Sequence, residues 1–160
     1  MAIVLGILSD SHGQRHRVRR AIEVLHEHGA TTFVHLGDLG DGVLDDLAGL
    51  PMKIVFGNCD DEASLCDYAR SLEIEVLHPG GWFEIDGKRV GVTHGHLVEE
   101  LDRLLNARVD YLLHGHTHQR SDVTVDGVRI LNPGALHRAS PTTAAVLVPA
   151  TGVFETLVIA

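Results

Sequence analysis

The chain has 160 residues, of which 44% are hydrophobic and 22% are charged, so a folded protein with a buried core is expected rather than a disordered one. The formal net charge of −9 offers no general attraction for polyanions, although bound cations would reverse the field at a local site. The two cysteines, Cys59 and Cys66, are too few for a disulfide framework or a cysteine-rich zinc cluster, and Cys66 is expected in the core.

Predicted strands and helices alternate in the first half of the chain. Residues 2–8 are an uninterrupted apolar run, typical of a strand buried on both faces. The run lacks a basic leader segment and is too short to cross a bilayer, so a cytoplasmic protein without membrane contact is predicted. Apolar residues at helical spacing then predict a helix over 14–28, closed by Gly29. The other elements predicted in this half are strands over 32–36 and 53–56 and helices over 43–47 and about 61–70.

The second half is richer in strands. Two hairpins are predicted to turn at Asp86-Gly87 and at Asp126-Gly127, between strands over 82–85, 89–93, 122–125 and 128–131. A helix over 99–106, a strand over 111–113 and final strands over 144–148 and 153–159 complete the chain. The pattern predicts one mixed α/β domain over residues 1–160, with two packed sheets flanked by helices.

Polar clusters directly follow several of the apolar strands. The chain has 12 histidines, well above average usage, and many lie in these clusters beside glycines. Ligands of α/β sheets bind beyond the carboxyl ends of the strands, so clusters far apart in sequence are expected to converge there. The clusters are Asp10/His12, Asp38, Asn58, His94/His96 and His116/His118.

The residue types in these clusters indicate a metal site. Carboxylates, imidazoles and one amide suit Mn, Fe, Co, Ni or Zn better than they suit a structural zinc site. The donors outnumber the ligands of one tetrahedral ion. Two cations about 3.5–4 Å apart would use them all, and such a pair generates a hydroxide near neutral pH and clamps phosphoryl oxygens.

Five motifs in this order resemble those of the calcineurin-like metallophosphoesterase superfamily. Together with Asn58-Cys59-Asp60 and Asn132-Pro133-Gly134, the chain is similar to the small single-domain prokaryotic phosphodiesterase branch, and the resemblance runs from Asp10 to Gly134. The motifs are Asp10-x-His12, Gly37-Asp38, Gly57-Asn58, Thr93-His94-Gly95-His96 and Gly115-His116-Thr117-His118.

The resemblance implies a four-layer α-β-β-α sandwich and hydrolysis of small phosphodiesters, with Mn²⁺ preferred over Fe, Ni, Co or Zn. It implies that Asp10, His12 and His118 bind the first ion. It further implies that Asp38 bridges the two ions, and that Asn58, His94 and His116 bind the second. The candidate catalytic residues are His96, Asp38 and Asn58.

Two departures from the family pattern affect these expectations. Many larger members have histidine and glutamate after the Gly-Asn pair, and that histidine protonates the leaving oxygen. Here Cys59-Asp60 stand in their place, as in the small branch, so His96 is our candidate to contact the phosphate or to donate the proton. The second departure is Ala135, where the small branch usually has serine.

Structural readings compete with the functional ones at several positions. Asp10 or Ser11 alone would serve as a helix N-cap. His35 and His114 are expected in the core or behind the ligands, and His137 either reaches the cleft or lies on the surface. Ordinary surface positions are expected for His16, His26, His28 and His78.

Two functions other than diester hydrolysis remain open from the sequence. An enzyme-like binding scaffold is one, as in the eukaryotic retromer subunit that resembles this branch, although all seven expected ligands are present. A nuclease is the other, and its only support is the basic cluster of the first helix, which is more typical of a solvated helix face. That cluster consists of Arg15, Arg17, Arg19 and Arg20. The oligomeric state is also open from the sequence, because hydrophobic edge strands allow two chains to pair.

Overall fold

Two mixed β-sheets lie face to face between helices in the computed structural model, which describes residues 1–160. The helices are α1 (Arg15–Glu27), α2 (Val43–Leu47), α3 (Glu62–Ser71) and α4 (Val98–Asn106). The strands of the first sheet are β1 (Leu5–Leu8), β2 (Thr32–His35), β3 (Met52–Ile54), β4 (Glu75–Val76), β10 (Thr143–Val148) and β11 (Val153–Val158). The strands of the second are β5 (Gly80–Ile85), β6 (Lys88–Thr93), β7 (Tyr111–Leu113), β8 (Ser121–Val125) and β9 (Val128–Asn132).

Parallel strands occupy the centre of both sheets. The first sheet has the order β11-β10-β1-β2-β3-β4, and β1 to β4 run parallel while β10 and β11 pair antiparallel. The second has the order β5-β6-β7-β9-β8, with β6, β7 and β9 parallel. The carboxyl ends of the central strands of each sheet therefore lie at one edge.

Three apolar clusters separate four layers. Helices α1, α2 and α3 cover the outer face of the first sheet, where Val18, Leu25 and Phe56 are buried. The two sheets pack on each other through residues such as Ile7 and Val92, and α4 covers the second sheet through Leu104. The expected α-β-β-α sandwich of two mixed sheets is confirmed.

Most predicted elements are confirmed to within a few residues. Strand β1 begins at Leu5 rather than Ala2, and β3 ends at Ile54, before the buried Val55. The two-residue strand β4 is absent from the predicted elements, although Ile74-Glu75-Val76 alternate apolar and polar side chains as a strand does. Both hairpins turn at the predicted Asp-Gly pairs with positive φ at both residues, as a type I′ turn requires. No helix has the length and apolar character needed to span a membrane.

Candidate metal centre

The polar clusters of both sheets meet where the central strands end. Residues Leu8, His35 and Ile54 lie in register across β1, β2 and β3, so the chain leaves these strands at one level. Backbone hydrogen bonds then join the loops themselves: the Asp10 N–H donates to Gly37 O at 3.0 Å, and the Gly115 N–H donates to His94 O at 2.9 Å. Each of these bonds joins two loops of the same sheet, and the His116 N–H, which donates to Asp10 Oδ2 at 3.0 Å, connects the two pairs of loops into one floor.

Left-handed backbone is concentrated at this floor. A non-glycine residue with positive φ is uncommon and persists where its surroundings hold it, often at a functional site. Aspartate and histidine are among the types that tolerate the conformation best. Five of the seven expected ligands have it: Asp10 (φ 54°), His12 (43°), Asp38 (54°), His116 (72°) and His118 (62°).

Asp10 is fully buried and held by one of its two oxygens. Its Oδ2 accepts hydrogen bonds from the Ser9 hydroxyl at 2.6 Å and from the His116 N–H at 3.0 Å. Its Oδ1 has no hydrogen-bond partner. These contacts exclude the alternative of Asp10 as the N-cap of α1, which begins after Gln14 without a side-chain cap.

Asp38 is likewise held through one carboxylate oxygen, which leaves the other oxygen facing the histidines. Its Oδ1 accepts a hydrogen bond from the Cys59 N–H at 2.9 Å, and its Oδ2 lies 3.2 Å from His94 Nε2 and 3.5 Å from His12 Nε2. Burial alone would raise the pKa of Asp38. The His94 imidazole and the Cys59 N–H outweigh burial, so the pKa lies well below its ordinary value and the side chain is a carboxylate at neutral pH.

Two of the histidines have their ring orientation fixed by backbone carbonyl groups. His94 Nδ1 donates to Leu36 O at 2.7 Å, and His118 Nδ1 donates to His137 O at 2.7 Å. A carbonyl oxygen only accepts, so Nδ1 carries the proton and Nε2 of each neutral ring has a free lone pair. Metal-binding histidines are commonly fixed by this arrangement.

The free lone pairs point at carboxylate oxygens. His94 Nε2 lies 3.2 Å from Asp38 Oδ2, and His118 Nε2 lies 3.4 Å from Asp10 Oδ1. Acceptors this close repel each other unless a proton or a cation lies between them. Burial lowers the pKa of His94, but the neighbouring Asp38 and Asp10 outweigh burial and raise the pKa, so a proton on Nε2 takes the place of a cation when none is bound. Asp10 Oδ1, His12 Nε2 and His94 Nε2 are all buried without a hydrogen-bond partner. Their donor chemistry fits divalent cations.

The donors fall into sets whose ligand atoms lie within 4.8 Å of one another. One set is Asp10, His12 and His118, and another is Asp38, His94 and His116. Asn58 is exposed and lines a cleft of about 310 Å³ together with Asp38, His116 and His118. All seven expected ligands therefore lie at or beside this cleft.

Cys59 is a further donor that the sequence did not single out as a ligand. With His12 and Asp38 it forms a third set within the same 4.8 Å. Burial, and then the nearby Asp38 charge, raise the pKa of its thiol. A protonated thiol is a poor ligand, so the imidazole and carboxylate donors are better suited to bind a cation.

Two glycines allow the backbone to approach the carboxylates. A Cβ atom at Gly57 would collide with Asp38 Oδ1, and one at Gly115 would lie against Ser9 Oγ and 2.5 Å from Asp10 Oδ2. Both positions therefore need glycine because the carboxylates are packed on the bare backbone.

The two remaining candidate histidines differ in their position. His96 packs beside the proposed ligands, with its ring centroid 5.4 Å from that of His94 and 6.1 Å from that of His116, but it does not line the 310 Å³ cleft. Burial, and then the charge of its histidine neighbours, lower the pKa of His96. His137 does line the cleft, and its ring centroid is 5.2 Å from that of His12. The sequence left two placements open for His137, and in the structure its side chain reaches the cleft.

Other polar residues hold the loops rather than line the cleft. His35 is fully buried, as expected, and bonds to Ser11 Oγ at 2.9 Å. The Asp60 carboxylate accepts the N–H groups of Leu39 at 3.0 Å and Gly57 at 2.9 Å, which ties two ligand loops together.

Asn132 holds the third ligand loop. Its Nδ2 donates to Thr117 Oγ1 at 3.0 Å, and its Oδ1 accepts the Gly134 N–H at 2.9 Å. Ala135 is fully buried. The expected surface position of His78 is wrong: its side chain is only 19% exposed, and Nδ1 accepts the Phe56 N–H at 3.3 Å.

The basic cluster of α1 is engaged within the protein. Arg15 and Arg19 both bind the Asp46 carboxylate, at 2.8 and 2.9 Å, and Arg17 donates to Leu136 O at 3.0 Å. Arg20 pairs with Glu23 at 3.1 Å. These contacts favour the structural reading of the cluster over a nucleic-acid patch.

Comparisons with known proteins agree with this geometry. The family model described as the calcineurin-like phosphoesterase superfamily domain matches residues 3–151. Phosphodiesterase MJ0936 of Methanocaldococcus jannaschii is 31% identical over 136 residues, which cover 81% of this chain and 82% of that protein. A solved structure of an archaeal phosphodiesterase superposes with a TM-score of 0.85 at 25% identity and covers 98% of this chain and 99% of that one. The YfcE phosphoesterase from E. coli superposes with a TM-score of 0.70 at 22% identity over 99% of this chain and 100% of that one.

Proposed function

Because the chain belongs to the calcineurin-like phosphoesterase superfamily, we propose that it is a phosphodiesterase that uses two divalent cations to hydrolyse small phosphodiesters. The relatives named as phosphodiesterases support this class of substrate. The expected ligand sets are Asp10, His12 and His118 for one ion and Asn58, His94 and His116 for the other, with Asp38 shared between them.

The observation that carries the proposal is the pair of unsatisfied, buried acceptors beside the residues that line the cleft. Asp10 Oδ1 and His94 Nε2 are buried and lack a partner, and the neighbouring Asp38 is charged at neutral pH. Buried acceptors without donors are costly, so a cation that satisfies them is favoured. The mixture of oxygen and nitrogen donors suits Mn²⁺ as the preferred ion, with Fe, Ni, Co or Zn as alternatives.

When bound, the two cations would supply a nucleophile from water at neutral pH and would neutralise charge on the phosphoryl group. The chain itself orients the reactants. Asp38 is held by the Cys59 N–H, so its second oxygen stays directed at His12 and His94. The exposed Asn58 lines the cleft, where its amide donates to a phosphoryl oxygen.

Two imidazoles compete for the role of proton donor to the leaving oxygen. His96 is the candidate from the sequence, and His137 is the one that lines the cleft. If neither acts, esters with good leaving groups are strongly preferred, because an alkoxide leaves slowly without a proton.

The test is hydrolysis of bis-4-nitrophenyl phosphate by metal-stripped protein with and without Mn²⁺, with the bound metal counted in each sample. Asp38→Asn is the informative variant, and Asp102→Asn, at an exposed position of α4, is the matched control. We expect Mn²⁺-dependent turnover with about two ions per chain, lost in Asp38→Asn and kept in Asp102→Asn.

The other outcomes separate the alternatives. Two bound ions without turnover of any diester would favour a binding scaffold. Affinity for DNA or RNA that falls steeply with salt would favour a nuclease. A protein that binds no divalent cation at any concentration would contradict the proposal.

A further inference from the structure

A second cavity of about 410 Å³ opens beside the metal centre. It lies between the loop after β7 and the loop after β9, and it shares His118 and Arg138 with the 310 Å³ cleft. Its lining is almost entirely polar and includes Gln119, Arg120 and Ser140. A ligand bound in the cleft therefore has room to extend an arm into this cavity.

The two arginines of this cavity are free of partners. Arg120 and Arg138 are exposed and make no ion pair and no side-chain hydrogen bond. By contrast, Arg15 and Arg19 bind Asp46, and Arg129 binds Asp122 at 2.7 Å. Because both line one cavity, this part of a chain of net charge −9 carries two positive groups that no carboxylate neutralises.

Another cavity beside the centre carries the opposite charge. A cavity of about 520 Å³ meets the cleft at Cys59, and four aspartates line it. They are Asp41, Asp45, Asp60 and Asp61. An anionic group is repelled from this side and attracted to the arginine side, so the charge difference orients a substrate with two unlike arms.

The walls of the arginine cavity are fixed by hydrogen bonds. His118 Nδ1 donates to His137 O at 2.7 Å, and Thr143 Oγ1 donates to Pro133 O at 2.8 Å. Arg17 Nη1 holds the same loop from α1 through Leu136 O. The walls of the cavity are therefore in place before a ligand arrives, and the two exposed arginine side chains are the part that a ligand has to order.

We propose that Arg120 and Arg138 form an anion subsite that selects phosphodiesters with a second negative group, such as a terminal phosphate, on one ester arm. The inference rests on the proposed function, because the subsite is defined relative to a diester held in the cleft. Guanidinium groups bind phosphate through paired, charge-assisted hydrogen bonds.

Two matched substrates test the subsite: 4-nitrophenyl ethyl phosphate and 4-nitrophenyl 2-phosphoethyl phosphate. In both, water adds to phosphorus, the bond to the 4-nitrophenyl oxygen breaks and 4-nitrophenolate is released, so only the second arm differs. Binding is measured separately on Mn²⁺-loaded protein by calorimetry, with 4-nitrobenzylphosphonate esters that carry the same two arms and have a stable P–C bond in place of the P–O bond that breaks in the substrates.

We expect the phosphorylated arm to improve both kcat/KM and affinity by about tenfold, the range for a hydrogen-bonded charged group. The double variant Arg120→Ala/Arg138→Ala should bring both ratios close to one. Lys88→Ala removes the same charge at the start of β6, the end of the strand far from His94, and should leave both ratios unchanged.

The results distinguish the subsite from the function. Turnover with no preference for the phosphorylated arm, or a preference that the double variant retains, overturns the subsite and leaves the phosphodiesterase intact. A preference in binding that the double variant loses, seen without turnover of either substrate, supports the subsite and counts against the proposed function.

Discussion

His118 Nδ1 donates a hydrogen bond to the backbone carbonyl of His137, 2.7 Å away, and so directs its Nε2 at Asp10 Oδ1, 3.4 Å away. One contact thereby joins the loop after β7 to the loop after β9 and selects the ring tautomer that can bind a cation. Because the acceptor is a carbonyl, no side-chain substitution at position 137 removes this bond.

His118→Ala should therefore remove one ligand of a single ion. We expect the number of bound Mn²⁺ ions to fall from two to one and kcat to fall at least about a hundredfold. Elemental analysis of desalted protein and turnover of bis-4-nitrophenyl phosphate measure the two effects. His16→Ala, at an exposed position of α1, is the control. Two ions retained in His118→Ala would exclude His118 as a ligand.

Gly115→Ala should damage the site through packing. The added Cβ would collide with the Ser9 hydroxyl and Asp10 Oδ2, so we expect a loss of roughly 1–3 kcal/mol in the free energy of unfolding together with weaker metal binding. Gly81→Ala is the matched control, because its added Cβ comes no closer than 3.5 Å to Leu77. Urea denaturation and metal titration compare the two, and equal stabilities would contradict the close packing.

The sequence predicts the fold and the meeting of the ligands for a physical reason. Strands such as β1 and β7 are buried on both faces and read as apolar runs, and the polar residue that ends each run marks the edge of the sheet. The proximity of Asp10, Asp38 and His94 could therefore be predicted from the sequence alone.

Other features depend on contacts that no local pattern records. Residues 72–76 alternate apolar and polar side chains, yet only Glu75 and Val76 form β4, because the pairing with β3 extends no further. Arg15 and Arg19 are like charges on one helix face, and it is Asp46, on α2, that makes the arrangement favourable. His137 follows a turn, and only the path of the loop after β9 brings its ring to His12.

The two candidate proton donors should differ in their dependence on the leaving group. His137 lines the cleft and His96 does not, so we expect His137→Gln to slow hydrolysis of an alkyl diester by roughly a hundredfold and of a 4-nitrophenyl diester much less. His96→Gln should slow both substrates alike. Rates over a series of leaving groups measure the difference, and the opposite pattern would assign the donor role to His96.

Removal of the metal should lower stability through the same buried acceptors. Asp10 Oδ1 and His94 Nε2 lack partners without a cation. At free Mn²⁺ a thousandfold above the dissociation constant of each site, we expect an increase of about 4 kcal/mol in the free energy of unfolding for each bound ion, or about 8 kcal/mol for two. Thermal unfolding with chelator and with Mn²⁺ measures it. A Tm independent of Mn²⁺ would argue against a site formed in the folded state.

His35 is a buried histidine that the fold keeps neutral. Its Nδ1 accepts the Gly37 N–H at 3.1 Å, so its proton resides on Nε2, which faces Ser11 Oγ at 2.9 Å. Burial, and then the charge of His94, lower its pKa from 6.5 to about 3. Protonation of Nδ1 would also break the bond from Gly37.

The free energy of unfolding of the metal-free protein should therefore fall as the pH falls from 6.5 toward 3. In this range His35 binds a proton in the unfolded chain but stays neutral in the folded protein. The slope from this residue is about 1.4 kcal/mol per pH unit, and its contribution is flat above pH 6.5. His35→Asn keeps an acceptor near Gly37 and cannot titrate, so its curve should lose that slope. Urea midpoints from pH 4 to 8, about the range in which both proteins remain folded, compare the two. Parallel curves would mean that His35 is protonated in the folded state.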